Sequence, residues 1–548
     1  MNQEKPISGG GDQDKNVLFL LIDALRFDTV VDPVARKFLF PNLAKIADSG
    51  FVNRVVTNAQ STQFVLPSIF SLTYPLDHGG YDTGIRLRPK SFIETLKENG
   101  WTTHKLETMN QLGLARGYDR GFDTVRSTTD FRVALETYLD RTLGYQVELW
   151  KKGELPEAEA VEVIQREFGL VLENLDKIWK EFDHSLWPPT LRKINERVME
   201  GLAAERRLLD EDPVTVMNKV AHLSGAAYWR FLGDRSINRL KRFLLHAWGY
   251  VRHKIRVTIA TRTFPPFFLY TQYTVVMPDI IDNLCQFVES KRGQKWMAYL
   301  HILDVHDCRG FNRPLTVIAR WRFLPRWWVG RIRGYTDRRF AYDTALMSVD
   351  ANVGKLLDAI KRSGQADNLL FLVTGDHGSF YARSPRIHKG VIATRTHFED
   401  IETPMIISGA KSPANNDGLI DSMGMTATLL EALGVEPHPS FKGVSAYAGG
   451  REAIISESCG HGAADLARRD LHFTVTTKTH RMMTVLSGTE LSTSELYDIE
   501  ADSKEMNNLA DDPQSGPVIA ALLDHIHRER AELLALRGIN VEGAAAQA

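Results

Sequence analysis

Four mainly apolar runs are the strongest pattern in the chain. They cover residues 17–22, 297–303, 369–374 and 404–407. Unbroken apolar runs of this length are typical of strands that a sheet buries on both faces. Apolar residues at helical spacing lie between the runs and predict helices, among them residues 41–50, 92–97, 343–362 and 426–433. Strands that alternate with helices predict an α/β fold, in which helices sandwich a largely parallel sheet.

The same patterns divide the chain into parts. Residues 1–15 are polar and glycine-rich and predict a flexible N-terminus. Residues 16–131 and 278–450 carry the α/β pattern, whereas residues 132–277 are mostly helical in pattern and predict an insertion into that domain. Short β-like segments predict a smaller C-terminal α+β subdomain, with a tail, in residues 451–548.

Composition and charge restrict the class of protein. The 548 residues are 43% hydrophobic and 25% charged, which is ordinary for a globular protein, and the net charge of −1 gives no global basic field for nucleic acid. Three cysteines cannot form a disulfide framework. The chain has no secretory apolar segment and no run of about 18 apolar residues. We therefore expect a cytoplasmic protein that at most rests on a membrane surface.

Acidic and histidine residues follow three of the predicted strands. Asp23 follows the first run, Asp376 and His377 follow the third, and His306 follows the second. Ligands of open α/β sheets bind beyond the carboxyl ends of the strands. Mixed carboxylate and imidazole ligands suit Zn or Mn, whereas Ca and Mg, which stay possible, prefer oxygen ligands. The pattern predicts a divalent metal site at this edge; the alternative is that each residue is a polar cap on a loop.

A hydroxyl pair precedes a predicted helix in residues 60–72. Ser61 and Thr62 stand before apolar spacing that includes Pro67, which suits the first turns of a helix. Free backbone N–H groups at such a position bind anionic esters, and a metal can activate the hydroxyl. The competing interpretation is a helix N-cap, the commonest role of Ser and Thr there.

The motifs of the chain, and their order along it, resemble the sulfatase branch of the alkaline phosphatase superfamily. The motifs LIDALRFD (21–28), YLHILDVHD (299–307) and the long segment that ends in VTGDHG (373–378) carry the resemblance, and IETPMIISG and ELYDIEADSKEMNNLADDP follow in family order. The resemblance implies a sulfatase-like fold and a metal-dependent hydrolase. It implies a first metal centre formed by Asp23, Thr62, Asp376 and His377, and a role for His306 at a second metal or at the substrate.

Departures from the family pattern point to a different nucleophile. Sulfatases have a Cys or Ser that is converted to formylglycine two residues before the proline, where this chain has Val65, so we expect no formylglycine. Thr62 stands five residues before Pro67, the spacing of the nucleophilic Thr in the phosphoethanolamine transferases of the same superfamily. A single acid, Asp23, replaces the usual adjacent pair. Ser379 replaces the Glu that often follows DHG, which leaves the second metal open.

One further histidine of the family pattern has two candidates here. His388 fits by its distance from His377, and His397 fits by its approach to Pro404. Both stay open as metal ligands.

The preferred interpretation is a metal-dependent hydrolase or transferase that acts on a phosphate, phosphodiester or sulfate ester through a covalent Thr62 intermediate. His306 would bind the ester oxygens or protonate the leaving group. The alternatives are a catalytically weakened binding protein that kept the fold and a phosphomutase-like enzyme.

Two basic and aromatic segments complete the sequence prediction. Residues 235–262 contain no acid, and residues 320–339 contain only Asp337 beside three tryptophans. One interpretation is a surface for a lipid-linked or polysaccharide-like anionic substrate, with peripheral membrane contact. The other is a solvated basic face whose tryptophans belong to the core.

Overall fold

The structure is a computed structural model. It describes residues 14–108, 114–235, 243–244, 247–251, 254–255, 270–271, 275–306, 308, 311–312, 318, 321–322, 324–332, 337–379, 394, 396–414, 417–460 and 462–539.

Fourteen strands occur in the described residues. In chain order they are β1 (Asn16–Ile22), β2 (Gly50–Val56), β3 (Thr102–Glu107), β4 (Thr124–Ser127), β5 (Tyr270–Thr271), β6 (Trp296–Ile302), β7 (Phe311–Asn312), β8 (Leu369–Thr374), β9 (Glu402–Ser408), β10 (Ile420–Asp421), β11 (Ile454–Ser458), β12 (Leu471–Thr476), β13 (His480–Ser487) and β14 (Glu490–Asp498).

Eight of these strands form the central sheet, in the order β10-β2-β9-β8-β1-β6-β3-β4. All neighbours pair in parallel except β9, which is antiparallel to β2 and to β8. The four predicted apolar runs correspond to β1, β6, β8 and β9. The prediction of a largely parallel sheet between helices is therefore confirmed.

Alternation along β1 shows why this sheet is buried on both faces. Leu18, Leu20 and Ile22 belong to one apolar cluster, whereas Val17, Phe19 and Leu21 belong to another. Successive side chains of a strand point to opposite faces, so an unbroken apolar run requires cover on both sides.

Helices provide that cover. Those outside the region of the predicted insertion are Phe27–Val31, Pro33–Phe38, Pro41–Asp48, Thr62–Ser71, Phe92–Glu98, Met277–Ser290, Leu324–Ile332, Asp337–Arg362, Phe398–Ile401, Ser422–Ala432, Gly516–Glu529 and Ala531–Ala535. Those within it are Phe131–Thr137, the π-helical turn Tyr138–Leu143, Gly144–Lys152, Glu157–Glu181, Pro189–Glu211, Pro213–His222 and Gly225–Tyr228.

Two smaller sheets accompany the central one. Strands β11 to β14 form an antiparallel sheet in chain order, and β5 pairs with β7. Within the described residues, no helix combines the length and the apolar character that crossing a bilayer requires.

Candidate metal and nucleophile site

The two acidic residues of the predicted site follow neighbouring parallel strands. Asp23 comes directly after β1 and donates its backbone N–H to Ile302 O of β6 (3.0 Å), and Asp376 follows β8 after one glycine. The Ala24 N–H donates to Asp376 Oδ1 (3.1 Å), and Ala24 adopts a left-handed backbone with φ of +64°. Non-glycine residues rarely adopt this conformation, and here it accompanies the contact between the two strand ends.

His377 brings the two carboxylates together. Its Nε2 lies 3.6 Å from Asp23 Oδ1 and 3.6 Å from Asp376 Oδ2, and all three side chains are buried. Its Nδ1 lies 2.6 Å from the Gly378 carbonyl oxygen, which can only accept a hydrogen bond. Nδ1 therefore carries a proton, so in the neutral ring Nε2 presents its lone pair to the carboxylates.

Thr62 places its hydroxyl at the same point. Its Oγ1 lies 3.2 Å from Asp23 Oδ2 and 3.3 Å from His377 Nε2. Ser61 holds the N-cap position of the helix Thr62–Ser71, but its side chain makes no capping hydrogen bond. Val65 is fully buried in the apolar cluster one turn further on, and Pro67 lies in the second turn of the helix.

The chemistry of these atoms fits a divalent cation. Asp23, His306 and His377 offer ligand atoms within 4.8 Å of one another, and so do Asp23, His301 and Asp376. Three of the buried atoms, Asp23 Oδ1, Asp376 Oδ2 and His301 Nε2, have no hydrogen-bond partner among the described residues. Unpaired buried carboxylate oxygens are costly, and a metal ion would satisfy them.

Charge interactions within the cluster are strong. Burial disfavours the ionised form of Asp23, but the charges on His306, His301 and His377 hold the pKa of that carboxyl well below its usual range. Burial also disfavours protonated imidazoles, yet the carboxylates raise the pKa of His301 and of His377 above the ordinary value. The site therefore attracts positive charge, which a metal ion would supply in place of protons.

The three remaining predicted histidines differ in their positions. His306 lies in the cluster, with its ring centroid 6.1 Å from that of His377. His397 Nε2 instead lies 3.0 Å from Glu495 Oε2, and neither candidate metal group among the described residues includes His397. His388 lies outside the described residues, so the choice between the two stays a prediction.

Two glycines hold the Asp376–His377 loop close to its neighbours. A Cβ at Gly375 would lie 2.4 Å from Thr403 Oγ1, and a Cβ at Gly378 would lie 2.1 Å from the Glu399 carbonyl oxygen. The Gly378 N–H also donates to Asp400 O (2.8 Å). Only glycine permits this approach of two backbones, so the loop position depends on both residues.

A pocket opens beside Thr62, and charged residues that the sequence analysis did not single out line it. Lys105 and Glu107 on β3 form a buried ion pair (Nζ–Oε2, 3.2 Å). Arg141, from the π-helical turn, donates to Gln63 Oε1 (2.9 Å). The remaining lining residues include Asp23, Ser61, Leu66, Phe70, Tyr118, Tyr299, His301, Leu303 and His306.

Some of these residues could have been recognised from the sequence. His301 interrupts the apolar run of β6, and Lys105 and Glu107 are spaced by two, so they share one face of β3. Glu107 pairs in register with His301 across the two strands. Arg141 carries no comparable signal, because its position depends on how the helices between 131 and 228 fold back on the sheet.

Comparison with known proteins agrees with this architecture. The family model described as Sulfatase matches residues 248–435, a stretch that contains His306, Asp376 and His377 but neither Asp23 nor Thr62. The chain is also 24% identical over 182 residues to an N-acetylglucosamine-6-O-sulfatase of Bacteroides thetaiotaomicron, covering 31% of this chain and 31% of that protein. The chain thus matches about a third of the length of that curated relative.

Solved structures extend the likeness over nearly the whole chain. A 2-O GAG sulfatase superposes with a TM-score of 0.53 at 12% identity, covering 95% of this chain and 92% of that one. A phosphonate monoester hydrolase of Agrobacterium radiobacter gives 0.52 at 13% identity, with coverage of 95% and 96%. The chain therefore has a sulfatase-like fold and carries a segment that matches the sulfatase family.

Proposed function

We propose that the protein is a metal-dependent hydrolase of sulfate, phosphate or phosphonate esters in which Thr62 is the nucleophile. One observation carries the proposal: Thr62 Oγ1 lies within 3.3 Å of both Asp23 and His377, at the point where three strand ends meet. A threonine that acted only as a cap would turn its hydroxyl toward the backbone N–H groups of its own helix.

Asp23, Asp376 and His377 are the proposed metal ligands, together with His301. Mixed oxygen and nitrogen donors favour Zn or Mn over Ca or Mg. When bound, the metal would lower the pKa of the Thr62 hydroxyl and neutralise negative charge on the transferring group.

The chain's own residues account for the remaining chemistry. Thr62 Oγ1, oriented by its hydrogen bond to Asp23 Oδ2, attacks the phosphorus or sulfur atom, and its proton passes to water. The new Oγ1 bond forms as the ester bond breaks, and His306 protonates the departing oxygen. Water then cleaves the Thr62 ester and regenerates the hydroxyl. An acceptor alcohol in place of water would make the protein a transferase.

The charge of the pocket supports an anionic substrate. Lys105 and Arg141 line it, and both carry side chains that can bind ester oxygens or a second acidic group. The matched relative is described as acting on a sulfated amino sugar, and one solved neighbour as a phosphonate monoester hydrolase. We therefore propose a substrate that joins a sulfate, phosphate or phosphonate group to a larger alcohol.

Activity profiling with metal analysis tests this proposal. The purified protein is assayed with aryl sulfate, aryl phosphate, aryl phosphonate and bis-aryl phosphate probes, and its metal content is measured by mass spectrometry. Asp376→Asn serves as the metal-site variant. We expect about one equivalent or more of Zn or Mn, turnover of at least one probe, and loss of both in the variant.

Two results would contradict the proposal. Absence of stoichiometric metal together with no turnover of any probe would support the binding-protein alternative. Transfer of phosphate between two positions of one sugar phosphate, without release, would support the phosphomutase-like alternative. Addition of an acceptor alcohol to the assay separates hydrolysis from transfer, because a transferase would partition product toward the alcohol.

A further inference from the structure

The pocket beside Thr62 has a wall of polar side chains on one face of the central sheet. Lys105 and Glu107 of β3 lie in register with Tyr299 and His301 of β6, and all four line the pocket. Successive residues of a strand alternate between faces, so these four side chains share one face. The neighbouring strand β1 contributes only apolar residues to that face. A buried ion pair at this place therefore needs an explanation.

Stability is a weak explanation for the pair. Lys105 Nζ lies 3.2 Å from Glu107 Oε2, and the two side chains are almost inaccessible to solvent. Glu107 Oε1 is also buried and has no hydrogen-bond partner among the described residues. Well-packed apolar residues often replace a buried ion pair without loss of stability. The position of the pair in the pocket wall points instead to a role toward the group that the pocket binds.

The pair determines how much positive charge the pocket offers to a substrate. Lys105 and Arg141 are the lysine and arginine side chains among the described residues that line the pocket. Glu107 offsets the charge of Lys105 at short range, and Asp23 belongs to the proposed metal ligands. Apart from the histidines and the metal, the charge of Arg141 is what remains for a bound anion.

Neutral hydrogen-bond donors complete the wall. The hydroxyl groups of Tyr118 and Tyr299 line the pocket, are buried, and have no hydrogen-bond partner among the described residues. A phenol donates a hydrogen bond without carrying a positive charge. Such donors stabilise the oxygens of a bound tetrahedral group but do not offset a second negative charge on it.

We propose that Glu107 is a specificity-determining residue that restricts the pocket to reacting groups with a single negative charge. Sulfate esters, phosphonate monoesters and phosphodiesters meet this condition, whereas a phosphate monoester carries about two charges at neutral pH. The second charge would lie near the unpartnered oxygen of Glu107, where burial strengthens the repulsion between like charges. The inference rests on the proposed function and narrows its substrate class.

Two stable ligands of nearly the same shape test charge selection without turnover. Benzenesulfonate carries one negative charge, and phenylphosphonate carries two above its second pKa. Titration calorimetry at such a pH gives the dissociation constant of each ligand for the full-length protein as purified with its metal. The ratio of the two constants is compared between variant and parent, so that the intrinsic preference of the metal for either ligand cancels.

Glu107→Gln should shift this ratio toward phenylphosphonate about thirtyfold or more, the effect of one unit charge within about 8 Å at an effective dielectric constant of about 20. The ratio of kcat/KM for aryl sulfate to kcat/KM for aryl phosphate should fall by a similar factor. Both readouts follow charge, whereas a purely structural role of Glu107 would change the two ligands alike.

A series of variants separates charge from the loss of a buried pair. Arg141→Gln removes a positive charge at a half-buried side chain and should shift the ratio toward benzenesulfonate. Lys105→Met combined with Glu107→Leu keeps the net charge and should leave the ratio within about threefold of the parent. Glu205→Gln is the matched control, because Glu205 forms a buried pair with Lys219 outside the pocket lining, and it should leave the ratio unchanged.

The outcomes distinguish this inference from the proposed function. A ratio for Glu107→Gln within about threefold of the parent, or an equal shift in Glu205→Gln, would overturn the inference. If Glu107→Gln does not fold, a shift of Arg141→Gln toward phenylphosphonate, or a shifted double variant, would overturn it. Turnover of esters without any dependence on charge would retain the proposed function and reject the inference. The expected charge dependence of binding without turnover of any ester would support the role of Glu107 and contradict the proposed function.

Discussion

Lys105→Met is the substitution that separates folding from substrate binding most clearly. Lys105 and Glu107 face each other at 3.2 Å, with side chains only 3% and 4% exposed. Glu107 Oε1 already has no hydrogen-bond partner among the described residues. Removal of the ammonium group therefore leaves a buried carboxylate uncompensated. Truncation of one partner of a buried ion pair costs about 3–5 kcal/mol.

The expected effect is a large thermal destabilisation that the second substitution reverses. At about 2–4 °C per kcal/mol for a domain of a few hundred residues, Lys105→Met should lower the melting temperature by at least about 6 °C. The double variant Lys105→Met and Glu107→Leu removes both charges and should recover most of the loss, because apolar residues replace buried pairs at little cost.

We expect that kcat/KM does not recover together with stability in the double variant. If Lys105 binds the anionic substrate, kcat/KM for the best ester probe falls about tenfold or more in the single variant and stays low in the double variant. Differential scanning fluorimetry and steady-state kinetics on the same samples measure both quantities. A melting temperature of the single variant within about 2 °C of the parent would refute the inference that Lys105 compensates the buried charge of Glu107. Recovery of kcat/KM in the double variant would refute a substrate contact.

Three further predictions follow from the site and its surroundings. Gly378→Ala should weaken metal binding and lower the melting temperature, because its Cβ would meet the Glu399 carbonyl at 2.1 Å; unchanged metal titration would contradict this. Burial and the charge of Lys291 lower the pKa of His104 to about 4. Between pH 6.5 and 4 the unfolded state therefore binds more protons than the folded state, and the free energy of unfolding should fall as the pH falls through this range. His104→Gln should flatten that decline in melting temperature. Arg141→Gln should raise KM for anionic probes with little change in kcat, and an unchanged KM would exclude Arg141 from substrate binding.

The sequence was most informative where a strand ends. An unbroken apolar run can only be a buried strand or a buried helix, and a carboxylate at its end lies at the sheet edge if the run is a strand. That reasoning brings Asp23 and Asp376 together without knowledge of any contact. The position of Thr62 near these carboxylates was predicted only from the family resemblance. Nothing in residues 60–72 alone distinguishes a nucleophile from a helix cap.

Residues that depend on tertiary placement could not be predicted. Lys105 enters the pocket because β3 is the neighbour of β6, and strand order is not encoded in any local pattern. Arg141 reaches Gln63 only because the π-helical turn, which follows 78 residues later in the chain, lies against the Thr62 helix. His397 was placed by sequence distance, yet its ring contacts Glu495 of β14, a partner nearly a hundred residues away.

Trapping of the covalent intermediate tests the central claim most directly. The protein is mixed with its best ester probe, quenched with acid at short times, and analysed by intact mass and peptide mapping. We predict a phosphoryl, phosphonyl or sulfuryl adduct on Thr62, loss of the adduct and at least a thousandfold loss of turnover in Thr62→Ala, and retention of metal in that variant. Thr62→Ser, which keeps a hydroxyl, should retain measurable turnover. Near-parental turnover by Thr62→Ala, or an adduct on Ser61 instead, would contradict Thr62 as the nucleophile.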